Sequence, residues 1–113
     1  MPHLDIRVSK MLDAEKKHEL QKEIGSVMRL IPGKTISNTV ISITDRCSMF
    51  NDGEAIEGAF VDVRLYKESP GDSKKAFSEK LFAILETKLG IPPDRVQMNF
   101  IELPNWASSG SYK

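Results

Sequence analysis

Pro2 is the residue whose position offers the clearest chemistry, because it follows the first methionine in the opening stretch MPHLDIRVS. Proline has a fixed φ, so the strand behind an N-terminal proline aims its nitrogen. A free α-amine titrates at about 7.7 to 8.0; a secondary amine starts higher, and burial or nearby cations lower its pKa. Such an amine can take a proton from carbon and return it elsewhere on a substrate. This role requires the loss of Met1, and without that loss Pro2 is simply a proline tolerated at the start of a strand.

Lys34 could provide the second group that this chemistry needs. It follows Pro32 and Gly33, which end the first predicted helix. Proton transfer next to a carbonyl requires a cation that holds an anionic substrate and stabilises the enolate. The alternative interpretation of Lys34 is an ordinary solvated loop lysine.

Hydrophobic periodicity predicts two β-α-β units that would position these residues. The first unit has a strand in PHLDIRVS, a helix that Asp13 caps, and a strand at Thr39–Thr44. The apolar positions of its helix continue at helical spacing to Ile31. After this unit, the dipeptide Asp52-Gly53 predicts the turn of a short hairpin.

The second unit repeats this layout without visible sequence repetition. Its strand is AFVDVRLYK, its helix is capped by Asp72 or Ser73 and ends at Gly90, and its last strand is VQMNFIEL. Strands that a crossover helix joins are normally parallel, and both helices then pack on one face of the sheet. The expected fold class is α/β (α+β), with two β-α-β units that form a four-stranded mixed sheet with two helices on one face. The chain is expected to be a single domain, residues 1–113.

The sheet face opposite the helices is predicted to be polar but not bare. An α/β layer with one uncovered face usually covers that face with another element. Opposite charges and an aromatic side chain on this face fit a half-wet subunit interface, so we expect an oligomer that closes these sheets against each other. The residues of this face are Asp5, Arg7, Asp62, Arg64, Tyr66, Gln97 and Asn99.

Composition argues against several other classes of protein. The 16 basic and 16 acidic residues cancel, so no excess of charge attracts a nucleic acid. The uncharged stretches are shorter than the about 18 to 20 apolar residues that span a bilayer, and no signal-peptide pattern opens the chain, so we expect a soluble cytoplasmic protein. Cys47 is the only cysteine, and His3 and His18 are the only histidines. We therefore expect no disulfide, no metal site and no cofactor.

Pro2, the Gly33-Lys34 pair before the second strand, and IPPDRVQMNF at residues 91–100 together resemble the tautomerase superfamily, most of all its macrophage migration inhibitory factor branch. The MPH opening and GAFVDVRLYK are similar to the carboxymethyl-hydroxymuconate isomerase branch. The resemblance implies a homotrimer whose three sheets form a central barrel, with a pocket at each subunit interface. It also implies that Met1 is removed and that Pro2 is the general base.

The resemblance assigns substrate-binding roles to further residues. Lys34 matches the substrate-binding lysine of the family. Asn99 matches an asparagine that reaches into the neighbouring subunit's pocket, although a plain interface hydrogen bond is the alternative for Asn99. Tyr66 replaces an isoleucine whose backbone amide meets the substrate carboxylate, and Gln97 replaces a tyrosine that is important in the vertebrate proteins.

Two more residues complete the expected pocket. Trp106 matches a tail tryptophan at the pocket wall, although simple packing would also explain a lone tryptophan. Arg64 lies on the same strand face as Tyr66. It could be a second carboxylate anchor, or it could pair with Asp5 or Asp62 inside the barrel.

These residues leave three functional hypotheses open. The first is keto–enol tautomerisation of a 2-keto acid such as phenylpyruvate, with Pro2 as base and Lys34 as anion anchor. The second is isomerisation of a muconate-type diacid, which would use a second cation such as Arg64. The third is a cytokine-like or interaction trimer in which the tautomerase site is vestigial.

Overall fold

The computed structural model describes residues 1–113 as one main sheet, two long helices and two small hairpins. In chain order the main elements are β1 (His3–Val8), α1 (Ala14–Ser26), β2 (Val40–Thr44), β3 (Phe50–Asn51), β4 (Glu54–Ala55), β5 (Ala59–Tyr66), α2 (Gly71–Leu89), β6 (Val96–Leu103), β7 (Ala107–Ser108) and β8 (Ser111–Tyr112). The main sheet has the order β2-β1-β5-β6. In it β1 runs parallel to β2 and β5 parallel to β6, while β1 and β5 are antiparallel. This mixed sheet of two β-α-β units confirms the predicted fold class.

Alternate residues of the two central strands form the core beneath the helices. Burying one Leu, Ile or Phe side chain contributes about 1.5 to 3 kcal/mol. Because successive strand residues point to opposite faces, this buried set leaves the polar residues of β1 and β5 on the open face. The fully buried residues of the strands and helices include Leu4, Ile6, Val8, Leu20, Ile24, Val61, Val63, Leu65, Phe77, Leu81 and Leu85.

Helix α1 begins as predicted but ends early. The Asp13 side chain caps it by accepting a hydrogen bond from the Lys16 N–H at 2.7 Å. The helix ends at Ser26, and Met28–Leu30 forms a short 3-10 turn. The prediction of one helix through Ile31 was wrong because the residues of the 3-10 turn continue the apolar spacing into the core.

For helix α2 the predicted start was wrong and the predicted end was correct. It begins at Gly71 after Pro70 and has no side-chain cap, so the prediction of Asp72 or Ser73 as cap was wrong. Pro70 is the N-cap residue, and its carbonyl accepts the Lys74 N–H at 3.2 Å, so the first turn of the helix already includes Asp72 and Ser73. At the other end Gly90 adopts φ +69° and donates its N–H to the carbonyl groups of the last turn, as predicted.

Two hairpins flank the main sheet. The turn between β3 and β4 contains Asp52 at φ +53° and Gly53 at φ +78°, which confirms the predicted hairpin. The turn between β7 and β8 contains Ser109 at φ +52° and Gly110 at φ +81° in the same way. The second hairpin lies after the last predicted strand, in a segment for which no element was predicted. Neither helix is long and apolar enough to cross a membrane.

Candidate active site

Pro2 lies buried immediately before β1. Its carbonyl oxygen accepts a hydrogen bond from the Val40 N–H at 3.0 Å, which ties it to the neighbouring strand β2. The antiparallel register of β1 and β5, continued beyond its last pair, brings Met1 level with Tyr66. The backbone at Pro2 is therefore held in place, while Met1 is 49% exposed.

A tight turn positions Lys34. Its N–H donates to the Ile31 carbonyl at 3.0 Å, and Gly33 has φ +79°. A proline at the second position and a left-handed glycine at the third are the residues that favour a type II turn. The Pro32-Gly33 turn therefore ends the preceding 3-10 turn and also fixes the position of the partly buried Lys34.

The side chain of Asn38 fixes the backbone on both sides of Lys34. Its Nδ2 donates to the Gly33 carbonyl at 3.2 Å, and its Oδ1 accepts from the Thr35 N–H at 2.9 Å. Local bonds of this kind are common for asparagine in turns. Nothing in the sequence pattern singled out Asn38, because a polar stretch such as GKTISN indicates a loop without indicating its internal bonds.

Two lysines influence the N-terminal amine. Burial, together with the positive charges of Lys34 and Lys113, lowers the pKa of the Met1 amino group below its usual value. Neither lysine forms an ion pair with an acidic side chain. The N-terminus therefore lies in an electropositive environment that can hold an anion.

Aromatic side chains line the same end of the sheet. The ring centroids of Tyr66 and Trp106 are 6.4 Å apart, with their planes at 48°. The Nζ of Lys67 lies 5.1 Å from the centroid of the Tyr66 ring. The main-chain N–H of Lys113 donates to the Trp106 carbonyl at 2.8 Å, so the β7–β8 hairpin brings Lys113 back toward the N-terminus.

A single chain brings together only part of the predicted site. In the register of the sheet, Asn99 on β6 lies opposite Asp62 on β5, and Asp62 lies opposite Asp5 on β1. Asn99 thus lies two strands across and three residues along from Pro2, a distance of about 14 Å from the usual strand dimensions. Gln97 lies two residues further still along β6. The predicted residues at the N-terminal end of β1 are Pro2, Lys34, Tyr66 and Trp106.

Asp62 is the centre of an ion-pair network on the open face. The residue is only 8% exposed. Its carboxylate accepts hydrogen bonds from Arg7 at 3.1 Å and from Arg64 at 3.3 Å. Arg7 also donates to Asp5 at 2.8 Å, and this bond and the charges of the two carboxylates raise the pKa of Arg7. The Arg64–Asp62 pair is the ion pair that was predicted as the alternative to a substrate anchor.

Asn99 belongs to the same network. Its Nδ2 donates to Asp62 Oδ1 at 2.7 Å, whereas its own Oδ1 is buried and has no donor within the chain. A buried acceptor without a partner costs about 1 to 3 kcal/mol. The Asn99 side chain is therefore held by Asp62 of its own chain, and its Oδ1 can still accept a hydrogen bond from a further donor.

Gln97 lies in a cleft at the far end of the open face. The cleft has a volume of about 440 Å³, and the hairpin β3–β4 forms one wall. Phe50, on that hairpin, is 67% exposed. The lining also includes Arg7, Phe60 and Arg95.

No three His, Cys, Asp or Glu side chains in the molecule lie close enough together to share a metal ion.

Several solved structures share this fold over the whole chain. MIF2 of Leishmania major matches with a TM-score of 0.91 and 23% identity, over 100% of this chain and 97% of that one. The macrophage migration inhibitory factor-like protein of Entamoeba histolytica matches with a TM-score of 0.86 and 24% identity, over 99% and 98% of the two chains. A native fused 4-OT matches with a TM-score of 0.86 and 16% identity, over 97% and 94%. No protein-family model matches the sequence, and no curated protein matches it either. The chain therefore has the fold of these macrophage migration inhibitory factor-like and 4-OT structures.

Proposed function

We propose that this protein is a tautomerase that interconverts the keto and enol forms of a 2-keto acid such as phenylpyruvate. Pro2 acts as general base once Met1 is removed. The observation that carries the proposal is that burial and the charges of Lys34 and Lys113 lower the pKa of the Met1 amine; the same two lysines would act on the Pro2 amine that takes its place once Met1 is lost. An amine with a pKa close to the working pH is an effective base.

The mechanism moves one proton within the substrate. The proline nitrogen takes a proton from the carbon next to the keto group, and the electron pair left behind forms an enolate. The ammonium group of Lys34 binds the substrate carboxylate and stabilises the enolate charge. The proton then passes from Pro2 to the enolate oxygen, so the enol contains the same atoms as the keto acid. Tyr66 and Trp106 would form an aromatic wall for the phenyl ring.

A homotrimer is part of this proposal. Within one chain Asn99 and Gln97 lie too far from Pro2 to touch the same small substrate. A neighbouring copy that covers the open face would bring its own Asn99 and Gln97 toward the amine, and would offer donors to the unpartnered Asn99 Oδ1. A single tautomerase-like domain over residues 1–113 and a cytoplasmic location belong to the same proposal.

A diacid is a second candidate substrate. Arg64 is a weak candidate for a second carboxylate anchor, because its terminal nitrogens contact His3 and Asp62. Lys113 forms no ion pair and acts on the same amine as Lys34. A second carboxylate would therefore meet Lys113 rather than Arg64.

Two measurements test the proposed function. The intact mass of the purified protein should show the loss of Met1. The Pro2→Ala variant should keep its circular dichroism spectrum and lose about 10²- to 10⁴-fold in kcat with phenylpyruvate, the usual contribution of a general base. The control variant Pro92→Ala changes an exposed proline and should leave kcat unchanged. A retained methionine or an unchanged kcat in Pro2→Ala would contradict the proposal, and an intact trimer without turnover would favour an interaction role.

A further inference from the structure

We propose that His3 is a positioning residue that fixes the direction of the Pro2 nitrogen, an inference that rests on the proposed function of Pro2. His3 is the next residue in the chain, and it lies on the open face of the sheet. Its Nε2 is 2.8 Å from Ser42 Oγ on β2. Its Nδ1 is 3.2 Å from Arg64 Nη1 on β5. The imidazole therefore ties the first residue of β1 to both neighbouring strands.

The contact with Arg64 determines which ring nitrogen of His3 carries the proton. A guanidinium group has donors and no acceptor, so His3 Nδ1 must be the acceptor of this bond. The proton of the neutral ring is then on Nε2, which donates to Ser42 Oγ. The geometry assigns His3 as the neutral Nε2–H tautomer.

Arg64 is itself held in place. Its second terminal nitrogen, Nη2, pairs with Asp62 at 3.3 Å. Asp62 is anchored in turn by Arg7 and Asn99. A continuous series of polar contacts therefore leads from the centre of the open face to the residue beside the base. Together with the bond from the Val40 N–H to the Pro2 carbonyl, it restricts the strand end that aims the proline nitrogen.

Protonation of His3 breaks this arrangement. An imidazolium carries a proton on both nitrogens, so Nδ1 can no longer accept from Arg64, and two positive charges face each other. The charged residues of the open face near His3 are Asp5 and Arg7 on β1 and Asp62 and Arg64 on β5; the facing residues of β2 and β6, Ser42 and Asn99, are uncharged. The contact between His3 Nδ1 and Arg64 therefore requires the neutral form of the ring.

Two substitutions of His3 distinguish a positioning role of its side chain from a general contribution to the folded structure. In His3→Gln the amide oxygen can accept from Arg64 and the amide nitrogen can donate to Ser42, but the group does not titrate. We expect His3→Gln to keep kcat within about threefold, because both contacts are preserved. In His3→Ala both contacts are lost, so kcat should fall by about tenfold to a hundredfold while KM changes by less than about twofold. His18→Ala, on the exposed side of α1, is the control and should change neither constant.

Nitrogen-15 spectra provide a readout that does not depend on activity. The chain has two histidines, so the His3→Gln variant identifies the His3 signals directly. At neutral pH His3 should show the Nε2–H pattern, and Arg64→Ala should convert it to a mixture of tautomers. An Nδ1–H tautomer or an imidazolium at neutral pH would overturn the proposal, and so would a His3→Ala variant with wild-type kcat. Failure of the proposed function itself would appear separately, as an unchanged kcat in Pro2→Ala.

Discussion

Charge is arranged differently at the N-terminal end of β1 and on the open face of the sheet. At its centre, Asp62 accepts from two arginines and one amide, and every charged group of this network has an opposite charge beside it. At the N-terminal end of β1, Lys34, Lys67 and Lys113 form no ion pair at all. Two of these lysines nonetheless act on the N-terminal amine.

The difference separates groups that hold the sheet from groups that are available for a ligand. A paired charge exerts little net field on a third group, because its partner cancels it at a distance. An unpaired cation beside a partly buried amine lowers the pKa of that amine and attracts an anion to the same place. A surface lysine far from other charged groups does not lower the pKa of an amine or attract an anion to it. The proximity of two lysines to one amine is therefore the feature that indicates a binding site.

Among substitutions of the charged groups in these two regions, the largest effect is expected from Lys34→Ala, which removes an unpaired cation from the N-terminal region. We expect kcat/KM for phenylpyruvate to fall by about a hundredfold, because both carboxylate binding and enolate stabilisation are lost. Steady-state kinetics measure the change. Lys22→Ala, an exposed lysine of α1 without an ion pair, is the matched control. Equal small losses in the two variants would show that Lys34 is an ordinary surface lysine.

Asp62→Ala tests the paired region, where the loss should appear in stability. Removal of this buried carboxylate leaves Arg64 and Asn99 without their carboxylate acceptor and leaves Arg7 with Asp5 alone, so the free energy of unfolding should fall by about 2 to 3 kcal/mol. Urea unfolding at one fixed protein concentration measures it. Glu86→Ala, an exposed carboxylate on α2 without an ion pair, should cost less than about 0.5 kcal/mol. A similar cost for both variants would mean that the network does not stabilise the sheet.

Lys113→Ala should produce a smaller change with a definite direction. Lys113 lowers the pKa of the Met1 amine, and in the proposed mechanism it acts in the same direction on the Pro2 amine after Met1 is removed, so Lys113→Ala should raise the pKa of that amine. The free amine is the active base and is present above its pKa, so the acid side of the kcat/KM profile should move to higher pH. Titration of the amine by nuclear magnetic resonance measures the shift directly, and Lys80→Ala, on the exposed side of α2, is the control. A profile that moves to lower pH would contradict the role of Lys113.

Asn38→Ala should have the smallest effect and would refine the comparison. It removes the two hydrogen bonds that hold the backbone around Lys34. We expect KM to rise by about threefold with little change in kcat, since the lysine is still present but less well ordered. Gln21→Ala, which changes an amide on α1, is the control. A fall in kcat at constant KM would show that Asn38 acts on the chemical step rather than on the loop.

Elements with local signals were predictable from the sequence. Asp13 caps α1 through its own side chain, Gly90 supplies the left-handed residue that ends α2, and Asp52-Gly53 forms a tight turn. The end of α1 was not predictable in the same way. Met28 continues the apolar spacing into a 3-10 turn, and a buried 3-10 turn has nearly the same pattern of apolar positions as a helix.

The candidate site was predictable only where a residue carries its own signal. Pro2 and Lys34 are recognisable from position and from the preceding Pro-Gly turn. The bond between His3 and Arg64 joins residues 61 positions apart, and it depends on the register of β1 against β5, which a single sequence does not specify. The position of Trp106 likewise depends on the β7–β8 hairpin, for which no local sequence signal was identified.

The layout of the sheet also limits how many active sites the protein can have. Gly58 precedes β5 as Pro2 precedes β1, so the two halves of the chain have corresponding strand starts. The Gly58 N–H, however, donates to Ser9 Oγ at 2.9 Å, and a Cβ at this position would lie 2.9 Å from the Arg95 carbonyl oxygen. A proline does not fit there, and the nitrogen is already part of a peptide bond. Under the proposed function each chain therefore has one base, Pro2, although its architecture is repeated. The turnover of mixed oligomers should then fall in direct proportion to the share of Pro2→Ala chains they contain.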